Sequence, residues 1–468
     1  NESPLGLLLT KHLGQPYQKA LPFAKHPRLQ NIYQMVCKSP KEAFILTDAL
    51  QTQFKEEFST IRHLPAPIST YDPSDPMWQL TMQDTTEWLW HLAKIKGRQA
   101  WDISKGSPNV KIAIIDTWFD INHPDLQSKL TTNTDPMDGT AFNSTCFQDN
   151  HGTSVASFAA AHTDGGGQLA SIGFNTMIIP YRYNNGLAKA LHASNVMNAD
   201  IISISWFWSS RCNLPDDTGQ EQLIIEEILN NGTIIVASAG NGYMSSARCP
   251  QGENVPPFTS LYPFSPTYDS RIICVTSTDK FDNHTYYENG NNLTHSHYPE
   301  VDICAPGYCV MGATGTKSLV NGNCVDKEWP YYGCGTGTSF ATPIVAGVCG
   351  LMKAVNPCIN PAEAQEIIKS TADPVNDAHL YPGKVGAGRI NAYKAVKKAA
   401  TRYVQNITYS GTQSITAHII EVGSNVTSEL PAGNVIVPSG SNVTFTGRHT
   451  IVLDRSEEHT SELQSRHN

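Results

Sequence analysis

The feature that most constrains the fold of this chain is a set of five short apolar segments rich in isoleucine and valine. They read VKIAII, MIIPY, DIISIS, TIIVASA and IICVTS, at residues 110–115, 177–181, 200–205, 233–239 and 272–277. Continuous apolar runs of this length predict strands that are buried on both faces, as in parallel sheets.

Segments with a helical pattern lie between and after these runs. We predict helices at residues 154–161, 187–198 and 221–230, and then near 340–354, 361–371 and 391–400. Because strand and helix alternate, the core is predicted to be α/β, with one central, mainly parallel sheet covered by helices.

Changes in sequence texture divide the chain of 468 residues into four parts. Residues 1–70 combine a helical stretch at 41–61 with Pro-rich flanks, and the linker-like LPAPISTYDPSDP at 64–76 spans the boundary with the next part. The α/β part is predicted to cover 71–402. Residues 403–454 are rich in Thr, Val, Ser, Asn and Gly, in short alternating runs that predict a small C-terminal β module. The final segment, 455–468, differs abruptly from it.

Composition excludes some classes of partner. The net charge of -9 and the pI near 6.0 argue against nucleic acid as a partner. No run of 18 apolar residues occurs, so no membrane span is expected. The N-terminus has no basic segment before an apolar core, so we expect no signal peptide in this sequence.

Eleven cysteines are many for a reducing compartment, and several lie in loop-like segments, which suits disulfides and an extracytoplasmic location. Connectivity cannot be derived from sequence. The candidate pairs are Cys212 with Cys249, and Cys309 with either Cys324 or Cys334. Two others, Cys274 and Cys349, lie in apolar runs and are predicted to be buried thiols.

Four residues with catalytic chemistry lie at predicted junctions. Asp116 ends the first apolar strand, His151 opens the segment HGTSVAS, and Asn241 lies in the segment ASAGNG, in a Gly-flanked turn at the end of a strand. Ser339, in GTGTSFATP, lies where a Gly-rich loop meets a helix. A serine needs a base to accept its proton, a buried carboxylate can orient that base, and an amide can stabilise an oxyanion. Taken singly, each residue also has a structural explanation, such as a helix cap or a turn.

The order Asp, His, Asn, Ser resembles that of subtilisin-like serine endopeptidases, the subtilase family, and the similarity covers residues 71–400. The resemblance implies a three-layer subtilisin-like fold and a triad of Asp116, His151 and Ser339, with Asn241 in the oxyanion hole. It also implies an acyl-enzyme intermediate, a polypeptide substrate and a secreted or cell-surface location. No cofactor is required. Residues 1–70 would be a pro-region remnant that inhibits the enzyme, or an ordinary extension.

The chain also departs from the family pattern. Thr117-Trp118 stands where the family has Thr-Gly or Ser-Gly, and Trp206 and Phe207 replace glycines after Ser205. These three positions, Ser205, Trp206 and Phe207, are predicted to bind substrate along a strand edge in the β-augmentation mode. Alternatively, the two aromatic residues pack inward or cover a surface.

A structural calcium ion is a further implication of the resemblance. Asp125, in HPDL, matches a family calcium ligand, and Asp75 is a second candidate. The loop AHTDGGGQLAS, which should complete the site, lacks the usual asparagines.

Two other functions remain open: a subtilase-fold protein that binds peptides without cleaving them, and an esterase or transacylase that uses the same triad. The β module resembles C-terminal domains of secreted Bacteroidetes proteins. The tail RSEEHTSELQSR resembles a translated sequencing adapter, so we expect residues 455–468 to be an artefact and the natural protein to continue.

Overall fold

A computed structural model describes residues 71–82, 88–142, 150–206, 219–241, 264, 268–288, 291–320, 323–326, 331–439 and 441–453, together with scattered positions before residue 70. The chain divides into two compact units, Asn1–Ser69 and Thr70–Asn468. In the first unit two short strands, β1 (Gln18–Lys19) and β2 (Tyr33–Gln34), pair antiparallel. The helix predicted at 41–61 lies mostly outside the described residues, although Leu46, Ala49 and Leu50 are helical and buried.

A six-stranded parallel sheet forms the centre of the second unit, in the order β10-β7-β6-β5-β3-β4. Its strands are β3 (Lys111–Asp116), β4 (Met177–Arg182), β5 (Ile201–Ile204), β6 (Ile234–Ser238), β7 (Ile273–Thr278) and β10 (Ile303–Pro306). The first five match the five apolar runs to within one or two residues, so the predicted parallel sheet is confirmed.

Alternation along a strand explains why the sheet is covered on both sides. In β3, Ile112 and Ile114 join one hydrophobic cluster, whereas Ala113 and Ile115 join the other. Successive side chains of a strand point to opposite faces, so a run without polar residues requires a helical layer on each face.

Nine helices in the described ranges of the second unit complete these layers. They are α1 (Pro76–Met82), α2 (Trp90–Lys94), α3 (Gly97–Ile103), α4 (His151–Ala160), α5 (Gly186–Asn195), α6 (Gln220–Asn230), α7 (Thr338–Val355), α8 (Pro361–Ser370) and α9 (Ala392–Ala400). The last six confirm the predicted helices, with ends that differ by up to three residues. The fold is the predicted three-layer α/β arrangement.

Helix α7 is the core helix of one layer, and 15 of its 18 residues are buried. By length and composition alone it could cross a membrane, but 83% of it is buried inside the protein. The absence of a membrane span therefore stays a prediction.

Two antiparallel pairs, β8 (Thr285–Glu288) with β9 (Asn291–Thr294) and β12 (Lys317–Val320) with β13 (Asn323–Asp326), flank the sheet region. A third pair, β11 (Val310–Ala313) with β14 (Tyr332–Gly335), leads into α7. A disulfide joins Cys309 to Cys334 at this pair, which selects one of the two predicted partners. Cys274 and Cys349 are buried free thiols, as predicted. Cys212 and Cys249 lie outside the described residues.

The C-terminal segment is rich in strands, as predicted for a β module. β15 (Thr401–Val404), β17 (Thr412–Val422) and β19 (Asn442–Leu453) form a parallel sheet in the order β15-β17-β19, and β16 (Ile407–Thr408) pairs with β18 (Val435–Ile436). The adapter-like tail lies beyond the described residues.

Candidate active site

The carboxyl ends of the parallel strands bring the predicted site residues to one edge of the sheet. Asp116 ends β3, Ser205 directly follows β5, and Asn241 follows β6 by three residues. Open α/β sheets bind their ligands at this edge. It is therefore the place where residues distant in sequence can meet.

Asp116 and His151 are in direct contact. The Asp116 carboxylate is fully buried, and its Oδ1 accepts hydrogen bonds from His151 Nδ1 and from the Thr117 N–H, each at 2.7 Å. Its Oδ2 is buried and has no hydrogen-bond partner among the described residues. An imidazole whose Nδ1 donates to a carboxylate carries its acceptor lone pair on Nε2, the nitrogen that a general base uses to take a proton.

Gly152 explains how α4 approaches β3 so closely. A Cβ at this position would lie 2.8 Å from the Trp118 carbonyl oxygen and 3.3 Å from the Asp116 Cβ. The Gly152 N–H also donates to Thr117 Oγ1 at 3.1 Å. The small residue after His151 therefore allows this close approach.

Ser339 is the second residue of α7, after an N-cap at Gly337 whose φ is +152°. Pro343 has no N–H, so it leaves the Ser339 carbonyl without its usual partner four residues on. Ser205 Oγ donates to that carbonyl at 2.9 Å, and Ser339 Oγ donates in return to the Ser205 carbonyl at 3.1 Å. The two serines therefore form a reciprocal pair at the helix N-terminus.

The His151 ring lies against the residue that follows Ser339. Its centroid is 5.4 Å from that of the Phe340 ring, which also packs against Phe158. The structure thus places the imidazole beside the start of α7. Because the Ser339 hydroxyl donates to the Ser205 carbonyl, it would have to rotate about its Cα–Cβ bond to donate to the imidazole.

Asn241 is anchored by the helix start. Its Oδ1 accepts from the Thr338 N–H at 2.9 Å and from Thr338 Oγ1 at 3.1 Å, and Thr338 Oγ1 accepts from the Gly240 N–H at 3.1 Å. Because these bonds hold Oδ1 of the Asn241 side chain, its Nδ2 is the atom that can donate to a ligand. Thr338 was missed by sequence reasoning, although its hydroxyl next to Ser339 was a usable signal.

The predicted substrate-binding residues differ in their placement. Ser205 contacts Ser339 as described above. Trp206 packs toward the connection between β4 and α5, where a Cβ on Gly186 would lie 2.2 Å from its indole, and its ring also packs against Phe264. This is the inward packing considered as the alternative. Phe207 lies outside the described residues.

The surroundings of Asp125 do not fit a calcium ion. The buried carboxylate accepts hydrogen bonds from the Gln168 and Leu169 N–H groups and from the Tyr332 hydroxyl. Burial and the bond to Asp125 raise the pKa of Tyr332, so its hydroxyl remains a donor. Donors surround the position where calcium would need oxygen ligands.

Asp75 shares this environment. It is buried, it accepts from the Asp164 N–H at 3.0 Å, and burial raises its pKa to about 6. In the described part of the chain, no three acidic, histidine or cysteine side chains are grouped to hold a metal.

A parallel sheet with an acid, an imidazole and a serine at its carboxyl edge is an arrangement found in serine hydrolases with an α/β fold. The chain belongs to the subtilase family, which it matches over residues 107–399. It is thus a subtilisin-like serine protease, as the sequence resemblance implied.

Similar proteins support this classification. Thermitase from Thermoactinomyces vulgaris is 31% identical over 338 residues, which cover 70% of this chain and all of thermitase. A thermophilic serine proteinase from Bacillus sp. (strain AK1) is 30% identical, with 64% of each chain covered. Among solved structures, a protease from Pseudoalteromonas arctica PAMC 21717 has a TM-score of 0.51 at 24% identity and covers 70% of this chain and 100% of its own. That structure supports the fold alone.

Proposed function

We propose that this protein cleaves peptide bonds with a triad of Asp116, His151 and Ser339. The observation that carries the proposal is the 2.7 Å bond between Asp116 and His151, beside a serine at a helix N-terminus. Asp116 orients the ring and stabilises the imidazolium, His151 acts as general base and then as general acid, and Ser339 is the nucleophile.

The proposed reaction begins when the substrate breaks the hydrogen bond that Ser339 donates to the Ser205 carbonyl. The Ser339 hydroxyl turns from the Ser205 carbonyl to His151 Nε2, gives up its proton and attacks the scissile carbonyl. The oxyanion accepts hydrogen bonds from the Ser339 N–H and from the Asn241 amide, which its bonds to Thr338 hold in place. His151 then protonates the leaving amine, and water hydrolyses the acyl-enzyme by the reverse proton transfers.

The same proposal includes a polypeptide substrate and a secreted or cell-surface location. One relative, from Natrialba magadii, is named an extracellular serine protease, and the Cys309–Cys334 disulfide suits an oxidising compartment. We further propose that the N-terminal residues act as an inhibitory pro-region, and that neither nucleic acid nor a membrane span takes part.

Relatives from Trichormus variabilis and a Nostoc species are named calcium-dependent proteases. We nevertheless propose that no structural calcium ion binds at Asp125, because hydrogen-bond donors surround its carboxylate. Unfolding with and without a calcium chelator tests this part. A large stabilisation by calcium that Asp125→Asn abolishes would contradict it.

Labelling with a fluorophosphonate tests the triad. We expect the folded protein to be labelled on Ser339 and to cleave a denatured protein substrate. Ser339→Ala should lose both properties, and Ser410→Ala, an exposed serine in the C-terminal segment, should lose neither. A folded protein that binds peptides but is neither labelled nor active would support the peptide-binding alternative. Cleavage of simple esters without cleavage of peptides would support the esterase alternative.

A further inference from the structure

A cationic platform lies at the sheet edge next to the proposed triad. The Arg182 guanidinium carbon lies 4.0 Å from the centre of the Trp118 ring, which is cation–π stacking. Both side chains are half-buried.

The strand register fixes where this platform lies. Arg182 is the register partner of Asp116 on the neighbouring strand β4, and the Tyr183 N–H donates to the Asp116 carbonyl. Thr117, between Asp116 and Trp118, accepts the Gly152 N–H next to His151. Along the edge the order is therefore Asn241 after β6, Ser205 after β5, the acid and imidazole at β3, and then Arg182 at β4.

A substrate chain held at Ser339 and running along the end of β5 toward β3 and β4 would pass this platform within a few residues of the scissile bond. Tyr183, the next residue after Arg182, has an exposed ring that lies 6.1 Å from that of Trp206. The platform is thus placed to contact a substrate side chain and not the reacting atoms.

The acidic side chains described near Arg182 do not form an ion pair with its guanidinium. Asp135 accepts the Arg182 backbone N–H, and Lys189 Nζ bonds to both Asp135 and Asp138, at 2.6 and 2.8 Å. The Arg182 guanidinium forms no hydrogen bond or ion pair with any residue in the described ranges. One face of the guanidinium is stacked on the Trp118 ring. Its N–H groups lie in the guanidinium plane, where a planar carboxylate can accept two of them.

From this geometry we propose that Arg182, held by Trp118, is a subsite for an acidic side chain of the polypeptide substrate. The inference rests on the proposed function and names a class of substrate for the same site. Arg182 is a specificity-determining residue and takes no part in the chemical steps.

The test compares peptides that differ only by Glu, Gln or Lys at each position near the cleavage site. We expect the protein to prefer Glu over Gln at one position by about fivefold in kcat/KM, the scale of a partly exposed ion pair. Arg182→Gln should reduce that ratio to about one, while Arg182→Lys should retain part of it because the charge remains. Arg402→Gln, an exposed arginine in β15, is the matched control and should leave the ratio unchanged.

Binding to the Ser339→Ala variant separates this inference from the proposed function. The dissociation constants of the Glu and Gln peptides should differ by a similar factor, and Arg182→Gln in the same background should remove the difference. If no peptide is cleaved but this preference is measured, the subsite stands and the catalytic proposal fails. Equal affinity for the two peptides, or a preference that Arg182→Gln leaves intact, would overturn the subsite.

Discussion

The ammonium group of Lys189 provides a sharp test of how the loop next to the active site is held. The side chain is 1% exposed, and its Nζ donates to Asp135 Oδ2 at 2.6 Å, to Asp138 Oδ2 at 2.8 Å and to Asn184 Oδ1 at 3.0 Å. Asp135 is fully buried, whereas Asp138 is 35% exposed. The hydrogen bond from Lys189 also lowers the pKa of Asp138 well below its usual range.

Lys189→Met keeps much of the buried volume but removes the charge. Asp135 would remain buried without its cation, so we expect the free energy of unfolding to fall by about 3–5 kcal/mol. Asp135→Asn added to Lys189→Met removes the unpaired charge and should restore a large part of this loss. Asp138→Asn alone should lower the free energy of unfolding by about 1 kcal/mol or less, because the ion pair between Asp138 and Lys189 is partly exposed.

Urea unfolding followed by fluorescence measures these differences, with Ser339→Ala in every variant to prevent self-digestion. If Lys189→Met costs no more than Asp138→Asn, the buried ion pair does not hold this loop. The reasoning also fails if the double variant is less stable than Lys189→Met alone, since relief of an uncompensated charge would then not be the dominant effect.

Three further predictions follow from single features of the structure. Gly152→Ala should reduce kcat/KM about 100-fold, because its Cβ would press on the Trp118 carbonyl and displace the imidazole; full activity would contradict this. Replacing Cys309 and Cys334 by serine should lower the free energy of unfolding by about 3.5 kcal/mol, the loop-closure entropy for a separation of 25 residues, and an unchanged urea midpoint would argue against it. Burial lowers the pKa of His91 and of His295 to about 3 from 6.5, so the unfolded chain binds protons first as the pH falls. Stability should therefore decline below about pH 6.5, by about 1.4 kcal/mol per histidine for each pH unit, and His91→Phe should flatten the dependence measured by urea unfolding between pH 7 and 5.

Local patterns were sufficient for five of the six sheet strands and for six of the nine helices described in the second unit, whereas β10 and α1–α3 were not predicted. In β3, the four residues from Ile112 to Ile115 are all apolar, so both faces of the strand must be covered, and its place in a covered parallel sheet follows from its composition. The effect of Pro343 can also be derived from the sequence. A proline has no N–H, so the Ser339 carbonyl lacks its helical hydrogen bond however the helix packs in the fold.

Pairings between distant segments could not be derived in this way. Sequence reasoning assigned Asp125 to calcium by similarity, but the tertiary structure brings the Tyr332 hydroxyl to that carboxylate from 207 residues away. The tertiary structure also packs Trp206 inward against Phe264 and stacks Arg182 on Trp118. No local sequence pattern indicates the second contact.

The sequence by itself determined most of the sheet strands and helices and the chemical types at the sheet edge, because these depend on hydrophobic periodicity and on side-chain functional groups. Only the tertiary structure decided which donors meet which acceptors. A hydrogen bond or a stacked pair depends on ångström-scale distances set by strand register and helix packing, and these distances are a property of the whole fold.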